Sequence, residues 1–399
     1  MVIFMMVRAA VLMTVAMVGL SCRDATSPAE MTPHERWHAA QPGYAYARPV
    51  VVGDVVVFGT GDGHLVAYSA ADGAVRWRSP IGVERISGAN LVARNGVVVA
   101  PVTAYATGVD AATGRELWRY IAPLDTVAYR GGQANPGNLV QIHIDADDAT
   151  VYIPAWGASV SAVDLRTGAP RWVWRPGASA GDTAAAGIFR SGAEGVRVSG
   201  DTVFVTAWHG LVQNGVRAEA WLVALDKASG RELWRVVMPR YTGGALIRGA
   251  PAFWHNLVLF TSAGGYAYAV DRTTRAVVWQ HTPQPLHTTV AQAEVVGDVV
   301  YIDGGDGNIY ALGAADGVER WRSPIGAQVT TDFLATDRRL IFASGAYLFV
   351  LDRASGRELL RMTQPHTAPD NALFSSTPTA LASQIFITVS DAAWSFDQP

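Results

Sequence analysis

Few residues in this sequence have the types and spacing that chemistry needs. The nine histidines are scattered, and none stands in the His-x-His or His-Glu-x-x-His spacing that is typical of a catalytic zinc site. Asp145, Asp147 and Asp148 crowd one short segment, where carboxylate oxygens could coordinate Ca²⁺. The same position of the first repeat, Gly53-Asp54, is typical of a solvated hairpin turn, and we favour a turn here as well. The sequence therefore predicts no metal site.

The single cysteine, Cys22, follows a segment that resembles a bacterial lipoprotein signal. Arg8 supplies a positive charge, residues 9–20 are apolar, and Ser21 is the small residue before the cysteine. Gly19 departs from the pattern, because a leucine is usual three residues before the cysteine, and ordinary secretion is therefore the alternative. One cysteine cannot form a disulfide within the chain, which leaves lipidation as its natural use.

The leader divides the start of the chain into two parts. Residues 1–22 are predicted to be a signal peptide, and residues 23–33, rich in Thr, Ser, Pro and acidic side chains, are typical of a flexible tether. Arg23 follows the cysteine, so the aspartate that retains lipoproteins at the inner membrane is absent. We expect a protein of the cell envelope that is lipid-anchored at the outer membrane and faces the periplasm. A secreted or periplasmic protein is the alternative.

An eleven-residue motif, small-x-Asp-x-x-Thr/Ser-Gly-x-x-x-Trp, occurs seven times, and an eighth copy is incomplete at the C-terminus. One clear copy runs from Ala162 to Trp172. Three copies depart from the motif, with Gly313 in place of the Asp, Arg275 in place of the Gly and Leu360 in place of the Trp. A period of about forty residues with one aromatic anchor is typical of a β-propeller or a related repeat array.

Each repeat predicts four antiparallel strands. Two short β-branched runs, such as residues 48–52 and 55–58, are joined by Gly-Asp and indicate a hairpin. The motif adds a third strand, a turn that contains Gly, and a fourth strand, as in residues 65–78. The Trp would bury an apolar face that one blade alone cannot cover, so the blades must stack. We expect the small first residue of the motif to let neighbouring sheets approach.

The two ends of the chain decide the number of blades. The last repeat stops at residues 395–397 without an outer strand, while residues 35–37 near the start match the closing strand at residues 319–321. The predicted fold is therefore all-β, an eight-bladed β-propeller of four-stranded antiparallel blades whose ring is closed by the N-terminal strand. Seven blades are the alternative. The predicted structural docking residues are Trp37, Trp77, Trp118, Trp172, Trp234, Trp279 and Trp321.

Composition limits the remaining possibilities. A propeller is a single domain, and the repeats fill residues 34–399 without room for another domain. The net charge of −3 gives no basic field for nucleic acid, which we exclude as a partner. Nothing after the leader approaches the roughly twenty apolar residues of a membrane helix, so contact with a membrane is expected through the lipid alone.

The motif resembles the tryptophan-docking repeat of the pyrroloquinoline quinone (PQQ)-like eight-bladed propellers, and the resemblance covers nearly the whole chain after the leader. That family includes quinoprotein alcohol dehydrogenases. It also includes non-enzymatic members, such as the lipoprotein subunit of the outer-membrane β-barrel assembly machine. Both kinds share the fold, so the fold alone does not choose between them.

For a dehydrogenase, the resemblance would require two adjacent cysteines bonded over the quinone, a Glu and an Asn for calcium, and an Asp base. The chain has one cysteine, and no acids align with the calcium ligands, so we expect neither PQQ nor calcium. The resemblance implies a non-catalytic binding or scaffold protein of the envelope, with a partner such as an outer-membrane β-barrel assembly protein. A PQQ-dependent dehydrogenase and a ligand-sensing propeller are the alternatives.

Extra length is concentrated in the third and fourth repeats. The added segments are residues 120–138, 173–195 and 209–219, which we expect to be loops on one face of one side of the ring. Their aromatic, Arg and amide side chains suit a binding interface. This candidate binding rim consists of Tyr129, Arg130, Gln133, Asn135, Phe189, Arg190, His209 and Gln213. Loop variation without a partner is the alternative.

Overall fold

The computed structural model of the protein describes most of the chain from residue 33 onwards, and the regular structure in it is all β-strand. Within the described ranges, no helix is long and apolar enough to cross a membrane. The described residues are 33–43, 47–82, 90–102, 105–123, 143–155, 159–175, 189–211, 217–238, 247–262, 264–282, 291–363 and 373–398.

The strands form eight sheets of four, one sheet for each blade. The first strand is β1 (Glu35–Ala40), and blades 1 to 4 follow it as β2 (Val50–Val52), β3 (Val55–Gly59), β4 (His64–Ser69), β5 (Val75–Pro80); β6 (Val92–Arg94), β7 (Val97–Val102), β8 (Tyr105–Asp110), β9 (Glu116–Tyr120); β10 (Asp145–Ala146), β11 (Thr150–Ala155), β12 (Ser159–Asp164), β13 (Pro170–Trp174); and β14 (Phe189–Ser199), β15 (Thr202–Leu211), β16 (Arg217–Asp226), β17 (Glu232–Val237). Blades 5 to 8 comprise β18 (Ile247–Trp254), β19 (Leu257–Ser262), β20 (Ala267–Asp271), β21 (Val277–His281); β22 (Glu294–Val296), β23 (Val299–Asp303), β24 (Asn308–Gly313), β25 (Glu319–Pro324); β26 (Leu334–Ala335), β27 (Arg339–Ser344), β28 (Tyr347–Asp352), β29 (Glu358–Thr363); and β30 (Thr379–Leu381), β31 (Gln384–Val389), β32 (Ala392–Asp397).

The eighth blade joins the two ends of the chain. Its strand order is β1-β32-β31-β30, whereas the other seven sheets use four consecutive strands. β1 runs antiparallel to β32, with Trp37 opposite Ser395 and Ala40 opposite Ala392. The prediction of eight four-stranded blades and a ring closed by the N-terminal strand is confirmed, and the seven-bladed alternative is wrong.

Among the residues that the structure describes, six of the seven predicted docking Trp residues, all except Trp234, donate a hydrogen bond to the last turn of the following blade. Trp118 of blade 2 is 6% exposed and donates its Nε1–H to the carbonyl oxygen of Leu165 in blade 3 at 2.8 Å. A Cβ on Gly168, in the same turn, would lie 2.6 Å from the Cβ of Trp118, so the turn glycine leaves the space that the ring occupies. The equivalent bonds join Trp37 to Ala70, Trp77 to Ala111, Trp172 to Lys227, Trp279 to Ala314 and Trp321 to Arg353.

The small first residue of the motif makes room for the Trp of its own blade, which corrects the expectation that it lets neighbouring sheets approach. Gly108 pairs with Trp118 across β8 and β9, and a Cβ on Gly108 would lie 2.2 Å from Cε2 of that indole. In blade 7 the difference in size is smaller, because Val350, larger than Gly or Ala, lies opposite Leu360, which is smaller than Trp. The remaining small-to-Trp pairs are Ala67–Trp77, Ala162–Trp172, Ala224–Trp234, Ala269–Trp279 and Ala311–Trp321.

Leu360 stands at the docking position that faces the junction of the chain ends. The third strand of blade 8 ends at Asp397 and its fourth strand begins at Glu35, so no short turn joins them to offer a docking glycine. The side chain of Leu360 has no N–H that needs a hydrogen-bond acceptor, and it is buried in a cluster with Phe374 and Trp394. A purely apolar side chain therefore suits this junction.

The apolar core lies between adjacent blades. Val97 and Val99 of blade 2 pack with Val151 and Ile153 of blade 3, for example, and similar clusters recur around the ring. The second strands β7, β11 and β19 are buried along their whole length, because blades cover both of their faces. This packing fixes the inner strands, and with them the side chains that reach the ring axis.

Candidate functional site

Polar residues at the start of the inner strands form a network at the ring axis. Asn90 of blade 2 donates its Nδ2–H to the carbonyl oxygen of Ile144 in blade 3, and its Oδ1 accepts from the N–H of Ile144, both at 3.1 Å. Arg48 of blade 1 forms a parallel bridge with Asn90, and His143 of blade 3 forms one with Gly195 of blade 4. The first four blades are therefore joined in sequence near the axis.

The other half of the ring continues this network through hydrogen bonds between backbone and side chain. Gln292 Oε1 in blade 6 accepts from the N–H of Ala250 in blade 5 at 3.3 Å. Asp332 Oδ1 in blade 7 accepts from the N–H of Gln292 at 2.9 Å, and the N–H of Asp332 donates to Thr377 Oγ1 in blade 8 at 2.9 Å. These contacts lock neighbouring blades at a fixed spacing.

His143 and Asp332 join opposite sides of the ring. Nε2 of His143 lies 3.1 Å from Oδ2 of Asp332, and the two side chains are 8% and 11% exposed. They belong to blades 3 and 7, which face each other in a ring of eight. Burial raises the pKa of Asp332, but the charge and hydrogen bond of His143, the N–H of Gln292 and the charge of Arg48 outweigh it, so the pKa lies below its ordinary value. The axis is thus bridged by the protein's own side chains.

A second polar layer lies two residues further along several inner strands. Asp145 Oδ2 of blade 3 accepts from the N–H of Val198 in blade 4 at 2.9 Å. Burial raises the pKa of Glu294 in blade 6. The positive charges of Arg48 and Arg197 oppose this rise, and the charge of Asp332 adds to it. Both signs of charge therefore occur along the axis, and they partly neutralise each other.

Blade 4 carries a longer sheet than the other blades. β14 has 11 residues, and β15 and β16 have 10 each. Phe189 and Arg190 at the start of β14 pair with Leu211 and Gly210 at the end of β15, beside His209. The expectation of loops is therefore wrong for residues 189–195, 209–211 and 217–219, because the hairpin ladder continues through them. These three predicted rim residues lie together at one end of a rigid sheet.

Interactions within blade 4 hold this longer sheet. Glu194, 5% exposed, accepts from Nε1 of Trp208 at 2.7 Å, which ties β14 to β15. The guanidinium of Arg235 lies 4.4 Å from the ring centre of Trp221, and its Nε and Nη2 each donate to Glu232 at 2.6 Å. Side-chain contacts between β14 and β15 and between β16 and β17 therefore stabilise the sheet that carries the rim residues.

The parallel bridge between His143 and Gly195 shows that the chain enters blades 3 and 4 in the same direction. The start of β14 and the axial residue His143 therefore lie on one face of the ring, which we call the axial face. The remaining anchor and rim predictions lie outside the described residues and are Cys22, Tyr129, Arg130, Gln133, Asn135 and Gln213.

In the part of the chain that the structure describes, no group of three or more His, Cys, Asp or Glu side chains converges to hold a metal ion. Asp147 and Asp148 lie in the hairpin turn between β10 and β11, as predicted, whereas Asp145 belongs to β10. Asp147 Oδ1 accepts from the N–H of Thr150 at 2.8 Å, and its Oδ2 lies 3.4 Å from Nζ of Lys227. Backbone and lysine therefore use the carboxylate that calcium would need.

The axial residues do not fit the quinone and calcium that a dehydrogenase of the PQQ-like class would bind. The sequence has one cysteine and hence no adjacent pair. A planar cofactor at this end of the axis would have to displace the pair of His143 and Asp332, whose side chains are almost fully buried. The hydrogen bonds of these side chains hold the blades together.

Eight four-stranded blades, tryptophan docking between them and an axis bridged by side chains define an eight-bladed propeller of the PQQ-like class. The sequence carries a more specific assignment. The chain belongs to the family described as Outer membrane protein assembly factor BamB, whose sequence model matches residues 32–212, 156–350 and 263–393. The resemblance seen in the repeat motif is thereby confirmed.

One curated relative shows how far the chain has diverged within this family. The outer membrane protein assembly factor BamB of Yersinia pestis is 27% identical over 140 residues, which cover 34% of this chain and 35% of the relative. The match thus spans about a third of that protein.

Solved structures with similar folds come from both kinds of PQQ-like protein. BamB from Moraxella catarrhalis superposes with a TM-score of 0.56 and 20% identity, over 77% of this chain and 82% of that structure. A quinohemoprotein alcohol dehydrogenase from Pseudomonas putida HK5 gives a TM-score of 0.68 and 12% identity, over 93% and 78%. At such identities the similarity shows the fold alone.

Proposed function

We propose that this protein is a non-catalytic scaffold of the cell envelope that supports the assembly of outer-membrane β-barrel proteins. Membership of a family described as an outer membrane protein assembly factor supports this function, as does the name of the Yersinia pestis relative. The proposed partner is an outer-membrane β-barrel assembly protein. The proposed anchor is a lipid on Cys22, joined to the ring by residues 23–33 and holding it at the outer membrane on the periplasmic side.

The observation that carries the proposal is the bridge of His143 and Asp332 across the axis. A propeller enzyme needs an open site for substrate, whereas a scaffold needs a stiff body with a binding surface. Here the axial side chains bond the blades to each other, and blade 4 extends a braced sheet beside them. Long, ordered elements on a rigid body are typical of binding surfaces.

The proposed binding surface is the rim at blades 3 and 4 on the axial face. Phe189, Arg190 and His209 lie at the end of the longer sheet. Tyr129 and Arg130 fall in the sequence between β9 and β10, and His143 just before β10 lies on the same face. Aromatic and arginine side chains are the types that most often dominate protein interfaces.

Capture of a partner by the full-length lipidated protein, purified from its own envelope, tests this function. Mass spectrometry of co-eluting proteins should identify an outer-membrane β-barrel assembly protein. Arg190→Ala should reduce the recovered partner by about tenfold, the loss expected for a hot-spot arginine. The matched control is Arg231→Ala, because Arg231 is an exposed arginine of the same blade in the turn at the opposite end.

Three results would contradict the proposal. Equal capture by the Arg190 and Arg231 variants would remove the rim from the interface. Capture that fails for the wild-type protein although the ring is folded would remove the scaffold function. Dye reduction with an alcohol after addition of PQQ and Ca²⁺ would favour the dehydrogenase alternative, which the fold similarity alone supports at present.

A further inference from the structure

A cleft of about 470 Å³ lies between blades 6 and 7, on other blades than the proposed rim of blades 3 and 4. One wall is the turn between β23 and β24, and the other is the segment that leads from β25 towards β26. The binding groups that its side chains offer are carboxylate and amide oxygens. The residues that line it include Asp303, Gly305, Asp306, Gly307, Gly326 and Gln328.

Asp303 presents an unsatisfied carboxylate oxygen in this cleft. The residue is 1% exposed, and its Oδ1 accepts from the N–H of Gly305 at 2.9 Å. Its Oδ2 is buried without a hydrogen-bond partner. Burial raises the pKa of Asp303 to about 6, the Gly305 N–H partly opposes this rise, and the charge of Asp306 adds to it. A buried acidic oxygen beside a second carboxylate is unfavourable unless a cation or a proton joins it.

Blade 1 repeats this turn and provides an internal comparison. Gly59 is paired with Leu65 in blade 1 as Asp303 is paired with Ile309 in blade 6, so the turn forms equally well without an acid at this position. Both turns have an aspartate three residues further on, Asp62 in blade 1 and Asp306 in blade 6. The charge of Asp62 is already neutralised by Arg78, which lies 2.6 Å away.

Blade 6 has one more carboxylate at this turn, and its arginine contacts Glu319 and the hydroxyl of Tyr310. Arg322, opposite Tyr310 on the neighbouring strand, lies 3.4 Å from Glu319. Asp306 instead accepts from the hydroxyl of Tyr310 at 2.5 Å and from the N–H of Asn308 at 3.0 Å. These neutral donors orient the Asp306 carboxylate without cancelling its charge.

We propose that the cleft between blades 6 and 7 is a binding site for a divalent cation of the Ca²⁺ class. Oδ2 of Asp303 and the carboxylate of Asp306 supply the charge, and backbone carbonyl oxygens and water complete the shell. Oxygen ligands in a flexible, glycine-lined turn suit Ca²⁺, whereas Zn²⁺ prefers nitrogen and sulfur ligands and Mg²⁺ requires a stricter octahedral shell. The site is independent of the proposed scaffold function.

Terbium luminescence tests the site with the full-length protein. Tb³⁺ replaces Ca²⁺ at oxygen sites, and Tyr310, whose hydroxyl bonds Asp306, is close enough to sensitise its emission on ultraviolet excitation. We expect saturable emission at pH 7.5 that excess Ca²⁺ displaces.

Asp303→Asn should abolish this emission, since the amide keeps an acceptor for Gly305 but loses the charge. Asp62→Asn, the matched control in the turn of blade 1, should leave it unchanged. Circular dichroism should show that both variants are folded. Emission that persists in the Asp303 variant, or that is lost equally in both folded variants, would overturn the proposal. A wild-type protein without Ca²⁺-displaceable emission would overturn it too.

Discussion

Replacing Gly168 with alanine should destabilise the ring more than the same change at Gly200. Both glycines have a left-handed backbone, with φ of +71° and +60°, so the strain of adding a Cβ, about 1–2 kcal/mol, is common to both. A Cβ on Gly168 would lie 2.6 Å from the Cβ of Trp118, whereas one on Gly200 meets nothing within 4 Å. Displacing the indole adds about 1–3 kcal/mol for overpacking, and about 1 kcal/mol for the weakened bond to Leu165.

The difference between the two variants isolates the docking contact from backbone strain. We expect the free energy of unfolding of Gly168→Ala to be lower than that of Gly200→Ala by about 2–4 kcal/mol. Urea unfolding followed by circular dichroism measures both, and equal m values would show that the unfolded states are comparable. Equal destabilisation by the two substitutions would refute the reasoning, because the clash with Trp118 would then have no energetic weight.

Two further predictions concern the axis and one irregular turn. Asp332→Asn should lower the free energy of unfolding by about 1–3 kcal/mol at pH 7. Because the folded pKa of Asp332 lies below 3.8, its ionised form stabilises the fold above about pH 4, and this contribution is lost as the pH falls through the folded pKa. The variant should therefore lose less stability on acidification, and an unchanged acid dependence in urea unfolding would contradict this. Arg275→Gly should raise stability by about 1 kcal/mol, because Arg275 has a φ of +62° where the motif has Gly. A lower Tm in that variant would mean that the arginine side chain makes contacts that outweigh the strain.

The architecture could be predicted from the sequence because every repeat carries the same packing signal. Each Trp, with its small partner and its turn glycine, specifies the same local packing, and one copy such as Ala162 to Trp172 already indicates two strands and a turn. Ring closure was predictable because the missing outer strand of the last repeat matched residues 35–37. Errors in single copies, such as Leu360, did not disturb the period.

The axial network could not be predicted in the same way, because its members differ in type from blade to blade. His143 and Asp332 are 189 positions apart, and neither belongs to a motif. A sequence signal does exist, because in most blades a polar residue stands at the start of the inner strand, at the same distance before the Gly-Asp turn position. Deciding which of them face each other requires the number of blades, as only an even ring places blade 3 opposite blade 7.

The longer sheet of blade 4 was missed for a different reason. Gly192 and Gly195 interrupt the alternation of apolar and polar residues, and that pattern is typical of a loop. In the structure these glycines are needed inside the strand. A Cβ on Gly192 would lie 2.5 Å from Nε1 of Trp208, and one on Gly195 would lie 2.6 Å from the backbone nitrogen of Ala250. Tertiary packing, which a local pattern does not contain, decided this segment.

The junction of β1 and β32 also has a consequence for the order of folding. Trp37 belongs to the first strand that the structure describes, and its partner Ser395 belongs to the last one. Closing a loop of this length is entropically unfavourable until the intervening blades have formed, so the pairing must come late. Meanwhile β32 presents an open edge on which the first strand of another molecule can pair. The ring is completed only when β32 pairs with a strand made much earlier, and until then exchange of strands between molecules competes with folding.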